Sequence, residues 1–197
     1  MLESVSTMGE SLRIDPSRCA FLFVDIQEKL HGAMADEARA SVERYVPVLA
    51  EAARRFEIPV VVSEQYPRGL GSTIPAVEQS LSELGDGLRR FEKTDFSVCK
   101  TEAFDEVYAQ LRRDQWVVTG EEAHVCVYQS VRGLLDRGAR VHVPRDAVAS
   151  RTIENRDVGL SLIERAGGVV TSTEVVVFDL LQKAGGDDFK ALSRLIR

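Results

Sequence analysis

The segment QWVVTGEEAHVCVYQSVRGLLDR, residues 115–137, joins a short apolar run to a helical pattern. The run at 116–118 is rich in β-branched residues and stops before Gly120, as expected for a buried strand that leads into a turn. Beyond the turn, apolar residues recur at helical spacing, namely Val125, Tyr128, Val131, Leu134 and Leu135. The segment therefore predicts a strand, a tight turn and a helix.

Cys126 lies in the first turn of that predicted helix. Unpaired backbone N–H groups and the helix dipole favour negative charge there, so they lower the pKa of a thiol from about 8.5 toward neutrality. The position predicts a thiolate that acts as a nucleophile. Free cysteine is also among the most buried residue types, so position alone leaves a purely structural role open.

The composition indicates one well-buried domain. The chain has 197 residues, of which 44% are hydrophobic and 28% are charged. Its formal net charge of -6 argues against nucleic acid or an anionic membrane surface as a partner. We therefore expect a small-molecule partner.

Cysteine usage and the N-terminus indicate a reducing compartment. The three cysteines, Cys19, Cys99 and Cys126, are an odd number without CxxC spacing, which is unlike a disulfide framework or a four-cysteine zinc site. Residues 1–15 lack a charged segment followed by an apolar one, and no apolar run approaches 18 residues. These features predict a cytoplasmic protein without a membrane span.

Strands and helices alternate along the chain. Residues 1–17 are polar and aperiodic and predict an N-terminal arm, whereas residues 18–197 predict one domain. Strands are predicted at 19–24, 59–63, 88–91, 116–118, 141–143 and 169–170, and helices at 37–56, 77–84, 103–113, 125–137, 152–166, 172–182 and 188–196. A kink or break is expected at Pro47, and residues 65–75 are expected to form a loop. The pattern predicts a doubly wound, Rossmann-like α/β fold: a six-stranded parallel sheet with helices on both faces.

Charged residues follow several of the predicted strands. In open parallel sheets, ligands bind beyond the carboxyl ends of the strands. Asp25, Glu64, Lys93, Cys126 and Asp146 would all lie at this edge. For Glu64 and Asp146, the alternative of a cap or turn residue remains open.

A cysteine, a carboxylate and a lysine form a coherent hydrolytic set. The carboxylate can take the thiol proton and later protonate a leaving amine. The lysine can hold the carboxylate ionised, and backbone N–H groups of the turn can bind an oxyanion.

Three sequence motifs carry a family resemblance. FLFVDIQEKL at 21–30, FEKTDFS at 91–97 and GEEAHVCV at 120–127 resemble the motifs of isochorismatase-like cysteine hydrolases, a superfamily that includes nicotinamidases and N-carbamoylsarcosine amidohydrolases. SEQYPRGLGSTIP at 63–75 and RDAVASRTIENRD at 145–157 are similar to its isochorismatase domain-containing branch. The resemblance runs from about Ile14 to the end of the chain.

The resemblance implies a role for each matching residue. Asp25 would be the general base and acid, Lys93 its charged partner and Cys126 the nucleophile. It also implies a cis peptide between Glu121 and Glu122, with the amides of Glu122 and Cys126 forming the oxyanion hole.

Two departures limit what the resemblance implies. Nicotinamidases carry a histidine-containing metal set after the second strand, but this chain has no histidine there, so we expect no catalytic metal and disfavour nicotinamide as substrate. Of His31, His124 and His142, we expect only His124 near the site, with a role as a satisfied turn residue favoured. True isochorismatases hydrolyse a vinyl ether and do not need the cysteine, so Cys126 favours acyl chemistry.

The predicted activity is hydrolysis of a small amide, carbamoyl or related C–N substrate through a Cys126 thioester, without a cofactor. The loop at 68–72 lacks the glycine spacing of a dinucleotide site, and no P-loop occurs. Three alternatives stay open: a vinyl-ether hydrolase, a non-catalytic interaction module and a redox-sensing thiol protein. Apolar C-terminal helices favour a homo-oligomer. The predicted pocket walls are Gln27, Tyr66, Leu70, Phe96, Val125 and Tyr128.

Overall fold

A parallel β-sheet forms the centre of the computed structural model, which describes residues 12–197. Its strands, in chain order, are β1 (Cys19–Val24), β2 (Val60–Gln65), β3 (Leu88–Lys93), β4 (Gln115–Glu121), β5 (Arg140–Pro144), β6 (Val148–Ala149) and β7 (Val169–Thr171). The spatial order is β3-β2-β1-β4-β5-β7, and β6 pairs with the far end of β4. Every pair is parallel, so the carboxyl ends of the strands meet at one edge.

Helices connect the strands and cover the sheet. They are α1 (Glu28–Gly32), α2 (Asp36–Arg55), α3 (Pro67–Leu70), α4 (Pro75–Leu81), α5 (Glu102–Leu111), α6 (Tyr128–Asp136), α7 (Ile153–Arg165), α8 (Thr173–Leu181) and α9 (Gly186–Ile196). Within residues 12–197, none of the helices has the length and hydropathy needed to cross a bilayer.

The central strand β1 has apolar neighbours on both faces, as its unbroken apolar sequence predicts. Side chains alternate along a strand, so Phe21 and Phe23 lie in one apolar layer and Leu22 and Val24 in the other. The first layer is closed by α2, α4, α8 and α9, and the second by α5, α6 and α7. The strand ends are thereby fixed between two packed layers.

The observed elements confirm the predicted doubly wound parallel sheet and correct its details. Helix α2 runs unbroken through Pro47, so the predicted break is wrong. The predicted loop at 65–75 contains the short helix α3, whose first residue, Pro67, suits a helix start. Strand β6 was missed because two residues carry no periodicity.

The predicted N-terminal arm lies partly outside the described residues, which begin at Leu12. Within the described part, Ile14 is buried and its amide donates to Asp179 Oδ2 of α8 at 2.6 Å. The amide of Asp15 donates to Gln115 Oε1 at 2.7 Å. Residues 14 and 15 are thus fastened to the domain.

A substitution at Gly120 tests how much the close contact between β1 and β4 contributes to stability. Its φ is +126°, and a Cβ there would overlap the backbone of Val24. We expect Gly120→Ala to lower the free energy of unfolding in urea by more than about 2 kcal/mol, because backbone atoms must move apart. Gly138→Ala is the matched control: its φ is +80° but no atom lies within 4 Å of the added Cβ, so it should cost about 1 kcal/mol. Equal losses in the two variants would contradict the assignment of a close contact.

Candidate active site

Asp25 directly follows β1 and is fully buried. Its φ of +53° is a left-handed conformation that Asp tolerates better than most residues, and its amide donates to the Ser63 carbonyl at 3.0 Å. Ser63 Oγ donates to Oδ1 at 2.7 Å, and Lys93 Nζ donates to Oδ2 at 2.5 Å. Both carboxyl oxygens are therefore held by hydrogen bonds.

Lys93 is the last residue of β3, and its side chain is fully buried. Its Nζ also donates to Gln65 Oε1 at 2.7 Å. The ammonium group thus joins the ends of β1, β2 and β3. A buried ion pair of this kind persists only where further hydrogen bonds satisfy both ions, as Ser63 and Gln65 do here.

Cys126 lies in a π-helical turn, Ala123–Val127, between β4 and α6. The amides of Val125 and Val127 donate to the Glu122 carbonyl at 3.0 and 3.1 Å. The residue is 5% exposed, and its thiol lies close enough to the Asp25 carboxyl group for each to shift the pKa of the other. Asp25 therefore lies between Lys93 and Cys126, and the catalytic roles of the three residues remain a prediction.

The structure corrects the predicted ionisation of Cys126. Burial, followed by the negative charge of Asp25, raises the pKa of the Cys126 thiol to about 12, although Lys93 acts in the opposite direction. These effects outweigh the favourable position at a helix start. The resting sulfur is a thiol, so a thiolate has to be made by proton transfer to a neighbouring base.

Asp25 has the properties of such a base. Burial raises the pKa of its carboxyl group above the usual 3.8, and Lys93, Ser63 and Cys126 oppose the shift. A raised pKa makes the carboxylate a stronger proton acceptor and its acid form a usable donor near neutral pH. The same group can therefore take and return one proton.

The turn that holds Cys126 packs closely against helix α7. The peptide bond between Glu121 and Glu122 is cis. Gly159 of α7 lies against the backbone of Ala123 and His124, where a Cβ would overlap it. Sequence reasoning missed Gly159, because a glycine inside a helix does not reveal which backbone lies beside it.

Two further residues of β2 belong to the site and were not predicted. Ser63 and Gln65 bind Asp25 and Lys93, as described above. They lie two positions apart and so share one face of the strand. Their spacing of two residues, at the predicted carboxyl end of β2, is the sequence signal that could have identified them.

His31 of α1 was placed outside the predicted site but lies beside it. The ring is buried, with Nδ1 at 2.6 Å from Glu121 Oε1 and Nε2 at 2.9 Å from Glu43 Oε1. His124 Nδ1 lies 3.1 Å from Ser150 Oγ, which agrees with the favoured role of a satisfied turn residue.

Glu64 and Asp146 secure loops rather than joining the site. Glu64 Oε1 accepts from Thr73 N and Oγ1 at 2.8 and 2.7 Å and from Arg90 at 3.0 Å. Asp146 Oδ1 accepts from Thr173 N and Oγ1 at 2.8 and 2.9 Å, at the start of α8. Both residues thus act as cap or turn residues, which is the alternative that the sequence left open.

Gln27 forms hydrogen bonds with the backbone next to the site. It is fully buried, its Nε2 donates to the Gln65 and Gly71 carbonyls at 3.1 and 2.7 Å, and its Oε1 accepts from Gln65 N at 2.6 Å. Its amide is therefore occupied by backbone partners, which differs from the predicted substrate contact. Gln27 fixes the loop that follows β2.

The other predicted pocket residues are spread over different surfaces. Tyr66 is 56% exposed and lines a cavity of about 390 Å³ together with Arg68, Lys93 and Thr94. Phe96 is 54% exposed and lines a different cavity of about 660 Å³. Leu70, Val125 and Tyr128 are partly buried. Their contact with a substrate remains a prediction.

Within residues 12–197, no three His, Cys, Asp or Glu side chains are placed together to hold a metal ion.

The buried pair of Lys93 and Asp25 predicts a pH-dependent loss of stability. In Lys93→Met, the carboxylate loses its partner, and we expect a cost of about 3–5 kcal/mol at neutral pH. The pKa of Asp25 in the folded state then rises further above its unfolded value, so the native state binds more protons than the unfolded state. The free energy of unfolding should therefore fall as pH rises from about 4, and the loss should be smallest in acid.

Two controls separate this effect from loss of packing. Lys93→Met combined with Asp25→Asn removes both charges and should regain most of the stability at neutral pH. Lys190→Met breaks an exposed ion pair with Asp187 and should change stability little. Urea titrations of Lys93→Met that give the same loss at pH 4 and pH 8 would contradict the prediction.

Comparisons with known proteins agree on one protein family. A model of the isochorismatase domain matches residues 19–175. The secreted isochorismatase effector Isc1 of Phytophthora sojae is 34% identical over 186 residues, which are 94% of this chain and 87% of the effector. Isochorismatase domain-containing protein 2 of Xenopus laevis is 33% identical and matches 99% of this chain and 88% of its own length.

A solved structure supports the same grouping. The structure of MAR1 ribonuclease from Caenorhabditis elegans superposes with a TM-score of 0.84 at 34% identity. The match covers 93% of this chain and 92% of that one.

Proposed function

Because the chain belongs to the isochorismatase family, we propose that it is a cysteine hydrolase that cleaves a small C–N substrate through a Cys126 thioester. Family membership supports a hydrolase. One observation carries the finer proposal: the Asp25 carboxyl group accepts a hydrogen bond from the Lys93 ammonium group and lies next to the Cys126 thiol. A nucleophile, a base and a cation thereby share one carboxyl group.

The first half of the reaction forms a thioester. Asp25 takes the proton of Cys126 Sγ, and the thiolate attacks the carbonyl carbon of an amide or carbamoyl group. The oxygen of the tetrahedral intermediate accepts from the backbone amides of Glu122, just before the turn, and of Cys126, within it. Asp25 gives its proton to the leaving nitrogen, the C–N bond breaks and an amine departs.

The second half releases the acid. Asp25, again ionised, takes a proton from water, and the oxygen of that water attacks the thioester carbonyl. The C–S bond then breaks and the sulfur regains the proton from Asp25. The Lys93 ammonium group compensates the negative charge that moves between carboxylate and sulfur. No cofactor enters these steps.

A small uncharged reacting group suits this environment. The three polar side chains are almost completely buried, so a substrate has to replace water within a confined, low-dielectric space. The net charge of -6 disfavours an RNA substrate, although the Caenorhabditis elegans neighbour is named as a ribonuclease. We also keep homo-oligomer formation and a cytoplasmic location as predictions.

The proposal predicts a defined effect of Cys126→Ala. Small amides, carbamoyl compounds and nitriles are incubated with the wild type and the variant side by side, and amine or ammonia release is measured. The variant should lower kcat/KM by more than about 10³-fold for any substrate that the wild type cleaves. Mass spectrometry of the quenched wild type should find an acyl adduct on the peptide that contains Cys126.

Cys99→Ala is the matched control, since Cys99 lies outside the site in the cavity beside Phe96. It should leave kcat/KM within about threefold of the wild type. Substrate turnover that survives Cys126→Ala and leaves no adduct would contradict the thioester route.

A vinyl-ether hydrolysis is a second candidate, favoured by the family model and by the raised pKa of Asp25, which supplies a proton donor. That reaction needs no sulfur nucleophile, so Cys126→Ala would retain it while Asp25→Asn would abolish it. The two variants together therefore separate the candidates. A redox sensor would instead show peroxide-dependent sulfenic acid on Cys126 without turnover of any amide or vinyl ether, and a non-catalytic module would show neither.

A further inference from the structure

A buried charge network lies directly behind the turn that holds Cys126. His31 lies between two carboxyl groups, Glu121 of β4 at 2.6 Å and Glu43 of α2 at 2.9 Å. Glu121 is fully buried, whereas Glu43 is about half exposed. The network therefore has one interior arm, from His31 to Glu121, and one that reaches solvent.

The interior arm ends beside the proposed oxyanion hole. Glu121 is the last residue of β4, and its own peptide bond leads to Glu122, whose amide is one of the two proposed donors. His31 belongs to α1, which begins three residues after Asp25. The contact between His31 and Glu121 therefore ties the segment that carries the base to the segment that carries the nucleophile.

Glu121 is incompletely satisfied within the described part of the chain. Its Oε1 binds His31, but its Oε2 is buried without a hydrogen-bond partner among residues 12–197. A buried carboxylate with a single partner depends strongly on that partner. Loss of the His31 charge would leave it facing the negative charges of Asp25 and Glu122.

The charges that act on the pair are mutually dependent. Burial raises the pKa of Glu121, and the bond to His31 opposes that shift. Burial lowers the pKa of His31, but Glu121 and Glu43 outweigh it and raise the net value above 6.5. The facing titratable groups are thus Glu43 from α2, Glu121 from β4, and Asp25 and Glu122 on the site side.

We propose that His31 is a positioning residue: by its bond to Glu121 it fixes the peptide that connects Glu121 to Glu122, and with it the orientation of the oxyanion donors. His31 does not touch the reacting atoms. Its protonated ring neutralises Glu121, so that the end of β4 keeps one conformation. This role extends the proposed function, and only the kinetic test of it depends on that function.

The first test follows the network by NMR and needs no substrate. The chain has three histidines, so the His31 ring signals can be assigned by comparison with His31→Phe. In the wild type, the His31 ring and the backbone amides of Glu122 and Cys126 should titrate with one shared apparent pKa above 6.5. In Glu121→Gln, the His31 pKa should fall, because its buried anionic partner is gone, and the two amides should lose the inflection.

The second test separates positioning from packing. His31→Phe combined with Glu121→Leu replaces the buried pair by apolar side chains and should preserve the melting temperature within a few degrees. If the pair positions the donors, kcat on a substrate cleaved by the wild type should still fall by at least about tenfold with little change in KM. Glu121→Gln, which keeps the shape and one hydrogen bond, should retain more of kcat than the apolar pair.

His142→Phe is the matched control, because His142 is a buried histidine on β5 without a bond to the site. It should leave kcat and the Glu122 and Cys126 amide titrations as in the wild type. Wild-type kcat in the apolar double variant, or amides of Glu122 and Cys126 that do not follow the His31 titration, would overturn the positioning role. A wild type that cleaves no substrate would refute the proposed function alone, since the NMR titration decides the inference independently.

Discussion

The buried ion pair between Lys93 and Asp25 is the interaction on which the site depends. An ammonium group and a carboxylate in the interior lose their hydration, and only their mutual attraction and added hydrogen bonds compensate for it. Ser63 and Gln65 provide these bonds from β2. Three adjacent strand ends must therefore stay in register for the pair to exist, so the parallel sheet is a requirement of the chemistry as well as its support.

The same pair explains how a protonated cysteine could serve in the proposed hydrolysis. The sulfur lies against a carboxyl group that already carries a cation on its other side. When the proton moves from the sulfur to Asp25, the negative charge moves from the carboxylate to the neighbouring sulfur. The net charge of the buried cluster is unchanged. Burial disfavours a lone thiolate, but it disfavours this internal transfer far less.

Sequence patterns predicted the fold, and pointed to Asp25 and Cys126 as candidate site residues, because both depend on local information. The apolar run before Asp25 and the helical spacing after Cys126 are set by the period of a strand and of a helix. Two of the residues that were missed, His31 and Gly159, depend on distant pairing instead. His31 meets Glu121 across 90 positions of sequence, and Gly159 approaches the turn from α7. No local pattern encodes such contacts.

The ionisation of Cys126 was predicted wrongly for a related reason. The benefit of a helix start can be read from residues 123–127, but the cost of burial and the charge of Asp25 come from the packed environment. Likewise, Gln27 has the sequence position of a ligand contact, yet its amide is consumed by the backbone of the following loop. Local position suggests what a side chain is able to do, and packing decides which of its atoms remain free.

Strand β6, although only two residues long, has a consequence for how this scaffold can diversify. It pairs with the end of β4 at Gly120 and Glu121, while β1 pairs with β4 at Gly120 from the opposite side. The end of β4 that leads into the turn with Cys126 is thereby paired on both of its edges. Because this anchoring uses backbone pairing, loops that do not contact the turn can change in sequence while the Cys126 sulfur keeps its position.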